Sequence, residues 1–113
     1  MNNENFIKQF NEMAAYTNDL AVRKGFWEND NDSKNAEKIA LAHSELSEAL
    51  EAMRHGNPPD DKIPDFSGAE AELADLVIRV MDLAHARGWR LAEAILKKME
   101  YNESRPYKHN KSF

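Results

Sequence analysis

The stretch from Ala71 to Ala84 constrains the fold more than any other part of the chain. Ten of its fourteen residues are Ala, Leu, Val, Ile or Met. At 3.6 residues per turn, the other four project into an arc of roughly 80°: Glu72, Asp75, Arg79 and Asp82. A helix that is apolar almost all round is normally buried. Its carboxylates then need a cation, hydrogen bonds or a raised pKa, so the stretch predicts a metal site.

Composition limits the class of protein. A chain of 113 residues suits a single domain spanning 1–113. The absence of cysteine excludes disulfides, zinc fingers and thiol chemistry. The sequence has no apolar run long enough for a membrane span and its first residues are polar, so we expect a cytoplasmic protein without a membrane partner. The net charge of −5 argues against binding to duplex nucleic acid, but not against a small anionic substrate.

Helical periodicity recurs along the chain, and strand signals are absent. The pattern predicts an all-α bundle with helices at about 3–24, 33–55, 67–88 and 90–103. Gly25 is expected to end the first helix, Ser67 and Glu70 to form a capping box that opens the third, and Gly88 to end it. Pro106 stops the fourth. Because four helices of this length leave an apolar face of the third uncovered, we expect a homodimer or homotetramer.

Two carboxylate pairs carry the candidate chemistry. Glu45 and Glu48 on the second helix, and Glu72 and Asp75 on the third, are each spaced i, i+3 and share a helix face. Antiparallel packing of the helices would bring all four together. Oxygen donors without cysteine favour Mg²⁺, with Mn²⁺ as a substitute. The alternatives are a solvated face for the first pair and an ion pair with Arg79 for the second, while Asp82 would lie behind the metal ligands.

These motifs resemble a known family. HSELSEALEAMR (43–54) followed by AELADLVIRVMDLA (71–84) is similar to the E-x-x-E and E-x-x-D motifs of the MazG-like all-α nucleoside triphosphate pyrophosphohydrolases. The ending KKMEYNESRPYKHNKSF (97–113) resembles that of a small MazG-like subgroup, with Asn110 at a position where relatives often have Gly. Asn tolerates left-handed backbone better than other non-glycine residues, so the turn can be retained.

The resemblance implies hydrolysis of a nucleoside triphosphate between the α and β phosphates, with Mg²⁺ held by Glu45, Glu48, Glu72 and Asp75. Glu45 or Glu48 is expected to be the catalytic general base. Substrates in the family include canonical NTPs, dUTP, dCTP and modified nucleotides, so the nucleotide stays open. The basic ending is predicted to bind the phosphates, unless it is only a solvated helix end, through Lys98, Asn102, Arg105, Lys108, His109 and Lys111.

Three further interpretations complete the sequence analysis. Trp27 is a candidate for stacking on the base, although packing in the core or at a dimer interface is the simpler role for it and for Phe26. Asp82 and His85 form a D-x-x-H pair that allows a di-iron carboxylate bundle as an alternative. A non-catalytic helical interaction module, in which the acids only solvate the surface, is the other alternative.

Overall fold

The structure, a computed structural model, describes residues 2–113. Within that range the chain forms four α-helices and one short 3₁₀ helix, so the predicted all-α architecture with four helices is confirmed. No helix in the same range combines the length and the apolar character that a membrane crossing needs. The elements are α1 (Asn3–Arg23), α2 (Lys34–Arg54), α3 (Gly68–Arg87), α4 (Leu91–Glu103) and the 3₁₀ helix Tyr107–Asn110.

The predicted ends of α3 are confirmed. The Ser67 hydroxyl accepts a hydrogen bond from the backbone N–H of Glu70 (3.2 Å), and the Glu70 carboxylate accepts one from the N–H of Ser67 (3.0 Å). Gly88 ends the helix in the left-handed region at φ 70°. The start of α3 also lies very close to α2, because a Cβ at Gly68 would lie 3.0 Å from that of Ala52. The capping box therefore fixes where the third helix starts against the second.

The helices α2 and α3 form an antiparallel hairpin, and α1 packs against α3 while α4 packs against α1. The antiparallel direction follows from two cross-helix contacts, one between Ala52 and Gly68 and one between Glu45 and Arg79. The buried apolar residues are mostly small, which lets the helix backbones approach closely. They are Ala14, Trp27, Ala49, Ala69, Ala71, Met81, Leu83, Ala84 and Ala92.

The connection between α1 and α2 is tied to the end of α3. The Arg87 guanidinium donates two hydrogen bonds of 2.8 Å to Asp30 and one of 2.6 Å to the Asn35 side chain. Farther along α2, the Lys38 ammonium donates to the backbone carbonyl of Phe26 at 3.0 Å. The bidentate pairing of Arg87 with Asp30 fixes orientation as well as distance. The segment that carries Trp27 is therefore held against α2 and α3.

One apolar face of the α2–α3 hairpin is left open to solvent, and we call it the hairpin face. Each of its side chains is between 44% and 55% exposed, although each is a large hydrophobic residue. The Cα radius of gyration is 16.4 Å, whereas a compact domain of this length is expected to have roughly 13 Å. The single chain thus leaves apolar surface uncovered along α2 and α3, at Ile39, Leu46, Leu50, Met53, Leu73 and Val77.

Candidate metal centre

Carboxylates of three residues meet between α2 and α3. Glu45, Glu72 and Asp75 each place one carboxylate oxygen so that the three oxygens lie within 4.8 Å of one another. The antiparallel hairpin produces this meeting, because it sets the middle of α2 opposite the first half of α3. The predicted convergence of the E-x-x-E and E-x-x-D motifs is thus present in the structure for these three residues. Oxygen atoms at such separations can share one small cation.

Glu45 is the innermost ligand candidate. Its residue exposure is only 6%, and its Oε1 accepts a hydrogen bond of 3.0 Å from Nε of Arg79. Its Oε2 is buried and has no hydrogen-bond partner among residues 2–113. Leaving a buried charged oxygen unpaired is costly. Arg79 does form an ion pair, but with Glu45 on the other helix and not with the second carboxylate pair for which it was the alternative, and only one oxygen of Glu45 is satisfied.

The electrostatics of the cluster favour bound positive charge. The Glu45 carboxylate, burial and the Glu48 carboxylate, in that order, raise the pKa of Glu72 to about 8. The pKa of Asp75 is also raised, by burial first and then by the charge of Glu45, and Arg79 opposes part of that rise. Crowded carboxylates hold protons because their charges repel. A divalent cation would relieve the same repulsion.

Glu48 stands at the open side of the cluster. It is exposed, yet it lies close enough to Glu72 for a hydrogen bond to raise the pKa of that residue. The predicted set of four carboxylates is therefore split by environment: Glu45 is buried, Glu72 half-buried, and Glu48 and Asp75 are exposed. Such a site has a closed inner side and an outer side that water and a substrate can reach.

The donor set fits a hard divalent cation. Mg²⁺ prefers carboxylate oxygens, keeps several waters and is usually bound by one or two protein carboxylates, which an open carboxylate cluster can supply. The unpartnered Oε2 of Glu45 would gain the positive partner that it lacks. The residues present therefore fit Mg²⁺, and Mn²⁺ has the same ligand preference.

Asp82 belongs to a different cluster. Its two oxygens accept hydrogen bonds from the Asn18 side chain at 2.8 Å and from the Trp27 indole N–H at 2.9 and 3.1 Å. The side chains of Lys38 and Arg87 lie near the Trp27 ring, at 4.4 and 5.2 Å from its centre. Trp27 is thus buried and engaged by hydrogen-bonding and cationic partners, as in the packing alternative. Base stacking on it would require those cations to move.

The D-x-x-H pair does not join the carboxylates. The Asp82 oxygens are used by Asn18 and Trp27, while His85 is exposed and lines a separate cleft with Phe10 and Trp89. A di-iron centre built on this pair would need both side chains in the acid cluster. The structure therefore offers no support for that alternative within residues 2–113.

Two clefts open on the acid cluster, and they share Asp75 and Ile78. The first, which we call the apolar cleft, has a volume of about 320 Å³ between α1 and α3 and is lined chiefly by Leu20, Phe26, Lys38, Ile78 and Arg79. The second, the loop cleft, has a volume of about 420 Å³ and is lined chiefly by Asp60, Asp61, Lys62, Ile63, Glu72 and Asp75.

The sequence pattern did not single out Lys38 or the segment 60–62. The charged run Asp-Asp-Lys shortly before α3 was the only local signal for the loop residues. Lys38 reads as an ordinary surface lysine, and its contacts with Phe26 and Trp27 depend on tertiary packing. Sequence spacing alone cannot place residues of a long loop against a helix face.

The basic ending lies on α4 and beyond it. Lys98 and Arg105 both lie near the ring of Tyr101, at 5.1 and 5.6 Å from its centre. Asn110 is left-handed with φ 61°, as expected for its place in the turn, and Lys108 and His109 share that conformation. In the described part of the chain, no hydrogen bond or ion pair joins the ending to the acids of α2 and α3. Within one chain, therefore, the predicted phosphate-binding residues do not contact the predicted metal ligands; these residues are Lys98, Asn102, Arg105, Lys108, His109 and Lys111.

Comparison of the chain with known protein families, with curated proteins and with solved structures found no match. The resemblance to MazG-like enzymes accordingly rests on the motif residues quoted above.

Proposed function

We propose that the chain is a Mg²⁺-dependent, MazG-like hydrolase that cuts a nucleoside triphosphate into a monophosphate and pyrophosphate. One observation carries the proposal: a cluster of three carboxylates whose innermost member, Glu45, has a buried oxygen without a partner in residues 2–113. A buried carboxylate oxygen without a donor, on a residue that shares a cluster with two further carboxylates, supports a site that a cation completes.

The residues suit attack by water on the α-phosphorus. Bound Mg²⁺ would neutralise phosphate charge and orient the triphosphate. Glu45 or Glu48 accepts a proton from the attacking water, whose oxygen bonds to the α-phosphorus as the bond to the α–β bridging oxygen breaks. The electron pair of that bond leaves with pyrophosphate. Glu48 has the more open position and Glu45 the unpartnered oxygen, so both residues stay candidates for the base.

The apolar cleft suits the nucleoside. It begins at Asp75 and is walled by Leu20, Phe26 and Ile78, which offer flat or branched apolar surface to a base and sugar. Phe26 is 61% exposed. It therefore replaces the buried Trp27 as the aromatic residue available for stacking.

The basic ending is proposed to grip phosphates, as the resemblance implies. The local excess of Lys and Arg in an acidic chain supports this role. Arg105→Ala should lower kcat/KM roughly ten- to hundredfold, because a charge-assisted hydrogen bond to the substrate is lost. Arg105→Lys should recover only part of that loss, because a lysine cannot make the bidentate contact. The Mg²⁺ affinity of the free protein should stay unchanged. An unaltered nucleotide affinity in Arg105→Ala would reduce the ending to a solvated helix terminus.

A second copy of the chain is proposed to cover the hairpin face. Ile39 and Val80 line one groove between α2 and α3, and the exposed residues continue at heptad-like spacing along both helices. Two such hairpins form a four-helix bundle, and two dimers would form the homotetramer. Light scattering should show at least a dimer at micromolar concentration, and Leu50→Glu should dissociate it. A stable helical monomer of the unaltered chain would contradict the assembly.

The deciding experiment is a pyrophosphate-release screen over canonical and modified NTPs and dNTPs, with and without Mg²⁺. Release from at least one nucleotide, dependent on Mg²⁺, supports the enzyme. The non-catalytic interaction module predicts no release and no effect of divalent metal on the melting temperature. Iron that copurifies with visible absorption would instead favour the di-iron alternative.

A further inference from the structure

The loop between α2 and α3 is built as a fixed wall of the candidate site. Asp60 accepts hydrogen bonds from the backbone N–H groups of Lys62 (2.9 Å) and Ile63 (3.0 Å), and its own N–H donates to the carbonyl of Phe66 (2.8 Å). These bonds hold the pKa of Asp60 below its usual range. The Asp60 carboxylate is therefore charged and used to hold the turn.

The base of the loop is tied to the start of α3. The side-chain oxygen of Asn57 accepts from the N–H of Ala69 (2.9 Å), and the Pro58 carbonyl accepts from the N–H of Gly68 (2.8 Å). Hydrogen bonds at the base of the loop and in its middle hold it in one orientation relative to the helix that it precedes. The residues at its tip therefore keep a fixed relation to Glu72 and Asp75.

The tip brings a single positive side chain to this cleft. Of the residues that line the loop cleft, Lys62 is the only cation, and it lines the same space as Glu72 and Asp75. Asp60 also lies near enough for its charge to raise the pKa of Asp75. A lysine that lines the same cleft as acids able to hold a divalent cation suits an anion bound to that cation, and the ion and the lysine then share the anion's charge.

We propose that Lys62 binds the pyrophosphate part of the substrate and holds it as the leaving group. The proposal rests on the proposed function and gives the substrate a direction. With the nucleoside in the apolar cleft, the triphosphate passes the acids at Asp75, and its β and γ phosphates enter the loop cleft. Lys62 would then contact oxygens that exist in the triphosphate and in the pyrophosphate product, but not in the nucleoside monophosphate.

The test compares Lys62→Met with Lys8→Met in the full chain. Lys8 lies on α1 and is exposed, so its change controls for the loss of one positive charge. With Mg²⁺ present, Lys62→Met should weaken inhibition by inorganic pyrophosphate roughly tenfold and raise KM for the triphosphate by a similar factor, since a charge-assisted contact is lost. Inhibition by the nucleoside monophosphate should not change. Lys62→Arg should restore most of the pyrophosphate affinity.

The outcomes separate this proposal from the proposed function. If the unaltered chain releases no pyrophosphate from any nucleotide, the proposed function itself fails. If the chain is active and Lys62→Met keeps normal pyrophosphate inhibition, only the role of Lys62 is overturned. If Lys62→Met weakens pyrophosphate and monophosphate equally, or lowers Mg²⁺ affinity without nucleotide, Lys62 supports the loop and does not bind the leaving group.

Discussion

Asp75 and Asp82 lie on the same polar stripe of α3, two turns apart, yet their surroundings are opposite. Asp82 is buried, and a tryptophan and an asparagine side chain donate hydrogen bonds to its oxygens. Asp75 is open to solvent at one side and faces other carboxylates at the other, and the burial of that inner side together with the charge of Glu45 raises its pKa. Asp82 is therefore surrounded by hydrogen-bond donors, whereas Asp75 is surrounded by other carboxylates.

The surroundings of a carboxylate distinguish one that ties helices together from one that binds a cation. A carboxylate that ties helices together is surrounded by N–H donors, as Asp82 is by those of Asn18 and Trp27. A carboxylate that binds a cation is surrounded by other oxygens, and it is strained when the cation is missing. Glu45 lies between the two cases, since Arg79 satisfies one of its oxygens and the other has no partner in the described residues.

The largest effect that tests this comparison is on turnover. Each of the four amide substitutions in the acid cluster should lower kcat/KM by roughly 100-fold or more. Substituting a residue that only hydrogen-bonds to a metal ligand already lowers activity by up to about 100-fold, and losing a ligand itself should cost at least as much. The changes remove charge but little volume, so the helical content should remain. They are Glu45→Gln, Glu48→Gln, Glu72→Gln and Asp75→Asn.

Glu51→Gln is the matched control for those variants, because Glu51 lies on α2 with an exposed side chain and pairs with His55 at the surface. It should keep normal kcat/KM. Normal activity in any two of the four cluster variants would contradict the assignment of these carboxylates as a metal site.

The next effect is on stability, and it should have opposite signs at the two ends of the stripe. Asp82→Asn should lower the free energy of unfolding by about 1.5–3 kcal/mol, since hydrogen bonds to a charged acceptor are lost in a buried site. Asp75→Asn in metal-free buffer should leave that free energy unchanged or raise it, because repulsion from Glu45 and Glu48 falls. Denaturant titration of both variants measures the contrast. A large loss of stability in Asp75→Asn would mean that its role is architectural too.

The sequence determined the elements better than the environments of their side chains. Ser67, Glu70 and Gly88 act through neighbours within a few residues, so the limits of α3 could be read locally. The i, i+3 spacing also predicted that Glu45, Glu48, Glu72 and Asp75 would meet once the helices paired, and the structure brings the oxygens of Glu45, Glu72 and Asp75 together. The pairing of Trp27 with Asp82 joins residues 55 positions apart. Only the packing of α1 and its following turn on α3 decides it, and no local pattern records that packing.

The same limit explains the exposed face of α3. The run from Ala71 to Ala84 predicts burial, but Leu73 and Val77 remain about half exposed in the single chain. The composition of a helix shows that an apolar face must be covered, but not whether another part of the chain or a second chain covers it. The loop cleft is a second example, because the presence of Lys62 in the same cleft as Asp75 depends on how Asp60 folds the turn.

The effect that is smallest per pH unit, and that reports on the acid cluster most directly, is the pH dependence of stability and of Mg²⁺ binding. With the pKa of Glu72 raised from 4.5 to about 8, the metal-free folded state holds a proton between those values that the unfolded chain has lost. Stability should therefore fall as pH rises through this window. Mg²⁺ must displace that proton, so Mg²⁺ affinity should rise by up to about tenfold per pH unit below pH 8.

Calorimetry in two buffers of different ionisation enthalpy counts the released proton directly. Glu72→Gln should remove most of the proton release and of the pH slope of stability in this window, with Asp75 supplying the remainder, whereas Asp82→Asn should leave the proton release intact. A metal affinity that is flat from pH 5.5 to 8 would show that the acids of α2 and α3 do not compete with protons for the cation, and the contrast with Asp82 would lose its electrostatic basis.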